Sequence, residues 1–209
     1  MSTDAPDDLR IASDLTASFD SPTDGPETGR LRAALATRAD EEGLLEVAYR
    51  TVDTPIGVLL LAATGKGLVR VAFELEDHDA VLARLSVTIS PRILRSGRRT
   101  DDVARQIDEY FAGRRRHFDV PVDLRLVRGF RRAVVAHLSE IPYGATESYA
   151  AVARATGNPA AVRAVGSACA NNPVPVVVPC HRVVRTDGTI GQYLGGTEVK
   201  AALLSMEGV

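Results

Sequence analysis

The sequence predicts an α+β protein, with a small N-terminal antiparallel-sheet domain followed by a mostly helical C-terminal domain that contains a helix-turn-helix. Three observations carry this prediction. Three apolar runs, 45–52, 58–63 and 68–73, are separated only by the turn sequences Thr54-Pro55-Ile56-Gly57 and Gly65-Lys66-Gly67. Such short connections favour antiparallel neighbours in a meander. Beyond about residue 126 the apolar spacing turns helical, with Phe130, Val134 and Leu138 on one stripe. Finally, two short helical segments flank Gly157-Asn158-Pro159, which is helix-turn-helix spacing; on spacing alone an ordinary αα-corner fits equally well.

Residues 1–29 are rich in Ser, Thr, Pro, Asp and Gly and lack helical or strand period, so a disordered acidic tail is expected. A short helix is expected over 31–39, then the three strands, then helices from His78 to Leu85 and from Thr100 to Gly113. Thr100 is the expected N-cap of the latter, Val103, Ile107 and Phe111 its stripe, and Gly113 its stop. The chain should run extended through 118–122 and change domain near 123–127, giving domains of residues 30–125 and 126–209. In the second domain Ile141-Pro142-Tyr143-Gly144 closes the first helix. Thr146 should cap a helix over 147–155, and the next helix should run from Ala160 to about Ala170.

Composition narrows the function classes. Two cysteines in 209 residues exclude a disulfide framework and any cysteine-built zinc cluster, and they point to a reducing compartment. No apolar run approaches a membrane span and the N-terminus lacks secretory-signal character, so a soluble, cytoplasmic protein with no membrane partner is expected. The formal charge of −2 hides an asymmetry: residues 1–29 hold seven acids and one base, leaving 24 bases against 20 acids elsewhere. A mildly basic body suits a polyanion without identifying one. The second helix of the pair, AAVRAVGSACA, lacks the Asn, Gln and multiple Arg that read base edges. Its small residues would let a backbone approach DNA closely without reading sequence.

The chemistry concentrates in NNPVPVVVPCHRVV, residues 171–184. Val176–Val178 should be a buried extended run fixed at its ends by Pro175 and Pro179, with Cys180 emerging from it. An isolated cysteine is most often a small buried hydrophobe. The adjacent His181 changes that reading, because imidazole can hold a thiolate at neutral pH. In an extended chain the two side chains would face opposite ways, which makes a bridging water the expected proton carrier. In the C-terminal segment Thr197 should cap a helix, and Glu207 shares a face with partly inward positions. A glutamate in a last helical turn is ordinarily solvated, so spacing leaves its role open.

Pro179-Cys180-His181-Arg182-Val183 resembles the active-site signature of O6-alkylguanine-DNA alkyltransferases (methylated-DNA–protein-cysteine methyltransferases). Ile141-Pro142-Tyr143-Gly144, Ser148-Tyr149, Gly157-Asn158-Pro159, Arg163-Ala164-Val165-Gly166, Asn172-Pro173, Gly188 with Gly191 and Tyr193, Gly195-Gly196, Lys200 and Leu203-Leu204 with Glu207 stand at the family's spacing. The resemblance is strong over 126–209 and weaker over 54–74. It implies repair of O6-alkylguanine in DNA, with O4-alkylthymine a further substrate to be tested, by direct, irreversible, one-time transfer of the alkyl group to Cys180. Glu207 would orient His181, which draws the Cys180 proton through water, while Asn172 supports the cysteine loop. Tyr149 would push on the flipped nucleotide's phosphate and protonate the guanine; Arg163 would fill the gap in the duplex. Ala160, Ala161, Ala164, Gly166 and Ser148 would contact double-stranded DNA through its minor groove. Val183, Tyr193, Leu194, Gly195 and Lys200 would form the substrate pocket. No cofactor and no metal are implied, and a monomer is expected. Val135 stands where the family usually has tryptophan, and Gln192 and Leu194 depart from its pattern in the pocket loop. Three rivals lose ground on the sequence. Alkyltransferase-like lesion binders lack the cysteine, cysteine hydrolases draw Cys and His from distant positions, and a helix-turn-helix regulator needs base-reading side chains.

Overall fold

The computed structural model describes residues 25–209. Most of the expected tail, 1–24, lies outside the described residues, but its last part is helical. Helix α1 spans Pro26–Glu41, longer at both ends than the expected 31–39, with proline in its first turn. Proline's fixed φ suits that position, where its missing N–H costs nothing. Buried Ala36, an ion pair between Asp40 and Arg99, and Glu41–Arg98 at 3.2 Å dock α1 on the body.

Strands β1 (Val47–Val52), β2 (Leu59–Thr64) and β3 (Gly67–Phe73) form the expected antiparallel meander, with Val47 opposite Thr64 and Leu59 opposite Phe73. A fourth strand, β4 (Ile93–Arg95), was not anticipated; it pairs parallel to β1 and gives the order β3-β2-β1-β4. Three residues show too little alternation to read, and a parallel edge arises only from the crossover through helix α2 (His78–Thr88). One sheet face packs Val47, Leu60, Ala62 and Val69 on Val81 and Leu85 of α2. The other, with Leu59, Leu61, Val71 and Phe73, joins the core of the helical half. Burial on both faces explains why β2 reads as a continuous apolar run instead of an alternating one.

Helix α3 (Asp101–Phe111) follows Thr100 as expected and ends before Gly113, whose φ is +70°. The Thr100 hydroxyl, however, donates to the carbonyls of Ser96 and Gly97 and does not cap α3. The stretch 118–122 contributes one parallel bridge, Val122 to Leu68.

The helical half comprises α4 (Phe130–Leu138), β5 (Glu147–Ser148), α5 (Tyr149–Ala155), α6 (Val162–Ala170), β6 (Val183–Val184) and α7 (Thr197–Glu207). Helix α5 starts two residues later than expected, because Glu147 and Ser148 are taken by parallel pairing with Val183 and Val184. Ser148, not Thr146, is the cap: its hydroxyl accepts from Ala151 N–H at 3.1 Å. Helix α6 begins at Val162; Ala160 and Ala161 belong to the turn, with the Ala161 carbonyl accepting from Val165 N–H. Gly196 and not Thr197 is the N-cap residue of α7.

The largest departure is 176–178, which is a turn and not an extended run. Val178 N–H donates to the Val174 carbonyl, and Val176 sits at φ +71°, a conformation that costs a β-branched residue steric strain. Pro173 and Pro175 lack N–H donors, so the stretch cannot sustain a ladder. Among the described residues no helix is long and apolar enough to cross a membrane, and no cluster of three His, Cys, Asp or Glu side chains could hold a metal ion.

Candidate functional site

Asn172 shapes the loop that presents the cysteine. Its Oδ1 accepts from Val174 N–H at 3.1 Å, and its Nδ2 donates to the Val178 carbonyl at 2.9 Å and to Cys180 Sγ at 3.2 Å. One fully buried amide thus closes the turn and touches the thiol. Cys180 then opens a 3₁₀ turn, Cys180–Arg182, in which successive side chains diverge by about a third of a rotation. The extended geometry assumed from sequence is therefore overturned. Even so, Cys180 and His181 make no direct hydrogen bond.

Behind the turn stands Glu207, on the inward face of α7 with Lys200, Leu203 and Leu204. Its Oε1 lies 2.9 Å from His181 Nε2 and accepts from Arg182 Nη2 at 2.9 Å and from the Tyr110 hydroxyl at 2.6 Å. Its Oε2 accepts from Arg182 Nε at 2.8 Å and from Gly144 N–H at 3.4 Å. Burial alone would raise its pKa, but the His181, Arg182 and Tyr110 donors outweigh burial and hold it at about 2. Glu207 is thus an anion, and His181 Nε2 must carry the proton it shares with Oε1. Burial depresses His181 more than Glu207 raises it, so the ring is neutral at rest with Nδ1 as its basic atom. Cys180 is only 1% exposed, and burial pushes its thiol up to about 11 against the opposing pull of Asn172 and Lys200. The resting site holds a thiol, not a thiolate.

Three buried side-chain polar atoms lack a hydrogen-bond partner among the described residues, and two of them are here: His181 Nδ1 and the Tyr193 hydroxyl. Unsatisfied buried groups are rare, and His181 Nδ1 is the atom here with no partner of any kind among the described residues, since the Tyr193 hydroxyl stands close enough to Cys180 to interact with its sulfur. The Tyr193 hydroxyl is within electrostatic reach of Cys180, and burial raises its pKa.

The β5–β6 pairing brings Tyr149 to this cluster, since it sets the start of α5 beside the segment following the Cys180–Arg182 turn. Tyr149 lies between α6 and the pocket loop: a Cβ on Gly166 would meet its ring at 4.0 Å, and one on Gly191 would fall 2.7 Å from its hydroxyl. A side chain at 191 would force the Tyr149 hydroxyl to shift. Likewise a Cβ on Gly195 would strike the Phe73 ring at 2.8 Å, and Phe73 stands edge-on to Tyr193 at 5.6 Å. Leu194 is half-buried beside them, while Val183 and Lys200 are fully buried. The Lys200 ammonium donates to the Val183 carbonyl and lies 5.9 Å from the Tyr149 ring, so it underpins the pocket from behind.

Arg163 and Ala164 on α6, and Ala160 in the turn before it, form a separate exposed face; Ala161 is half-buried. Arg163 makes no hydrogen bond or ion pair with the described residues. Beside this face a groove of about 480 Å³ is lined by Leu126, Arg128, Phe130, Arg131, Ala164 and Ser167. Two participants escaped sequence reasoning, Tyr110 and Phe73, while Arg182 stood in the quoted signature without a role. The position of Arg182, directly after His181, was a usable signal; Tyr110 and Phe73 read only as core aromatics.

Two family models match in tandem: 6-O-methylguanine DNA methyltransferase, ribonuclease-like domain, over 47–124, and 6-O-methylguanine DNA methyltransferase, DNA binding domain, over 129–209. A methylated-DNA–protein-cysteine methyltransferase of Mycolicibacterium paratuberculosis is 40% identical over 161 residues, covering 77% of this chain and 92% of that relative. The constitutive enzyme of that name from Bacillus subtilis is 36% identical, covering 76% and 94%. Among solved structures, Mycobacterium tuberculosis OGT in complex with DNA superposes with a TM-score of 0.67 at 39% identity, covering 77% of this chain and 93% of that one. The chain therefore belongs to the 6-O-methylguanine DNA methyltransferase family.

Proposed function

We infer that this protein repairs O6-alkylguanine in DNA by moving the alkyl group irreversibly to Cys180 Sγ, one group per chain. The observation that carries the reading is the buried His181–Glu207 pair at 2.9 Å, with Nδ1 left unpartnered next to a thiol held by Asn172. Glu207 fixes the tautomer, so Nδ1 is the atom that takes the Cys180 proton through a bridging water. The imidazolium that forms is balanced by the Glu207 carboxylate. The thiolate attacks the alkyl carbon in line, a C–S bond forms, the C–O6 bond breaks, and its electron pair leaves on the guanine. The developing charge on the base needs a donor. Tyr149 fits that task by position, its ring against α6 and its hydroxyl against Gly191 of the pocket loop, and a phenol is a protonated donor at neutral pH. The product thioether has no easy route back.

On the outer face, Arg163 with Ala160, Ala161, Ala164, Gly166 and Ser148 would seat a double-stranded DNA minor groove. Arg128 and Arg131 in the adjoining groove would meet phosphates. The lesion would turn out of the stack toward Val183, Tyr193, Leu194 and Gly195. Because Cys180 is almost wholly buried, the segment around Gly191 must part from Tyr149 to admit it. We take the protein to act without a cofactor as a cytoplasmic monomer of two domains, 30–125 and 126–209. Incubation with duplex carrying O6-[methyl-³H]methylguanine should transfer at most one label per chain, and Cys180→Ser should abolish transfer. Label on Cys169, or turnover beyond one equivalent, would sink the assignment.

A further inference from the structure

We propose that Tyr110, from the sheet-bearing half of the molecule, is a positioning residue of the alkyl-transfer site, acting through Glu207 on His181. The inference deepens the alkyl-transfer reading and rests on it. Tyr110 lies in α3, far in sequence from the cysteine loop, and is fully buried. Its ring is held by Phe111, Phe118 and Tyr143 at centroid distances of 5.3, 5.2 and 6.2 Å. A tyrosine needed only for packing could be phenylalanine. Here the hydroxyl donates at 2.6 Å to the same carboxylate oxygen that faces His181 Nε2. Burial raises the phenol's pKa well above its ordinary value, so it stays a donor across the working pH range.

The remaining groups around Glu207 have other tasks. Arg182 neutralises the carboxylate and also donates to the Ile141 carbonyl at 2.5 Å. The Tyr143 hydroxyl donates to the Met206 carbonyl, with the guanidinium of Arg116 over its ring at 5.5 Å. Lys200 reaches His181 only through its field, being bonded to the Val183 carbonyl. Tyr110 is therefore the one neutral donor that competes directly with His181 for Oε1. By drawing on that oxygen it weakens the pull on the Nε2 proton and so moderates the basicity of Nδ1. It also makes the catalytic half depend on the sheet-bearing half, since the carboxylate oxygen facing His181 is shared across that boundary.

The test is the pH–rate profile of methyl transfer from O6-methylguanine duplex to the full chain. Tyr110→Phe should make His181 more basic, so that Nδ1 is lost to protonation at higher pH and the half-maximal pH of the acid limb moves up by about half a unit. Site-specific 3-fluorotyrosine at position 110, a stronger donor of the same shape, should move it down. Phe118→Leu loosens the same packing without touching the hydroxyl and should leave the half-maximal pH in place. If Tyr110→Phe does not fold, the fluorotyrosine shift alone decides. A profile that superposes on the unmodified protein, or that shifts the opposite way, overturns the proposal. Failure of the unmodified chain to transfer any methyl would instead overturn the functional reading itself.

Discussion

Helix α6 and the Cys180–Glu207 cluster stand close in the chain and are built on opposite principles. On α6 the side chains facing outward are small apart from Val162, and the one charge among them, Arg163, is exposed and unpaired among the described residues. Inside, five donors converge on one carboxylate, a strained Val176 closes the loop, and the cysteine and histidine are almost wholly shielded. The outer face costs the fold little and can be altered without unfolding it. The inner cluster is over-determined, so its chemistry and its stability cannot be separated. On the proposed function, a surface that accepts DNA of any sequence needs shape and charge, whereas a sulfur that reacts once needs a fixed proton path.

The comparison breaks most visibly at Glu207. Glu207→Gln leaves Arg182 buried without its counter-charge, and removing one partner of a buried pair costs about 3–5 kcal/mol. The urea midpoint should drop accordingly and methyl transfer should fall below detection. The pH dependence has a defined sign. Glu207 sits at about 2 in the folded protein against an ordinary 4.5, so its contribution is complete above 4.5 and is lost as pH falls toward 2. His181, with its pKa lowered by burial, acts in the same direction, its share being lost as pH falls through the ordinary histidine range. Acid denaturation should therefore flatten between about pH 4.5 and 2 in Glu207→Gln relative to the unaltered protein. An unchanged acid limb would show that Glu207 is not the ionised centre of the cluster.

Ser148→Ala should cost less, about 1 kcal/mol, because it removes a single N-cap acceptor. It sits between the two regions, capping α5 and pairing through β5 with β6. A thermal melt gives the stability change, and transfer to Cys180 should remain detectable. A loss as complete as that from Glu207→Gln, measured on a free O6-substituted guanine that needs no DNA contact, would show that the cap of α5, and not the inner cluster, limits the chemistry.

How much of this was legible follows from where each feature's cause lies. The three-strand meander was readable because its turns are local. Edge strand β4 was not, since three residues gain their strand character only from β1. Cys180, His181 and the possible role of Glu207 were visible through one dense motif and a family spacing. The turn at 174–178 was misread as extended because β-branched residues favour strands, while Asn172 and two prolines override that preference. Tyr110 was hidden for a different reason. At its position in α3 a buried aromatic fits the core equally well, and only the fold reveals that its hydroxyl meets Glu207.

The smallest structural effect and the sharpest functional one belong to Arg163→Ala. The side chain is exposed and makes no hydrogen bond or ion pair with the described residues, so stability should stay within about 0.5 kcal/mol. Extruding a nucleotide costs a few kcal/mol of stacking and pairing, and a side chain filling the gap recovers part of that cost. Losing about 1.4 kcal/mol of such support slows repair in duplex roughly tenfold. A free O6-substituted guanine requires no extrusion, so Cys180 should react with it at an unchanged rate. Parallel measurement of both substrates separates the two regions. Equal losses on duplex and free base would mean that α6 reaches the inner cluster directly, and the division between an inexpensive outer face and an over-determined interior would fail.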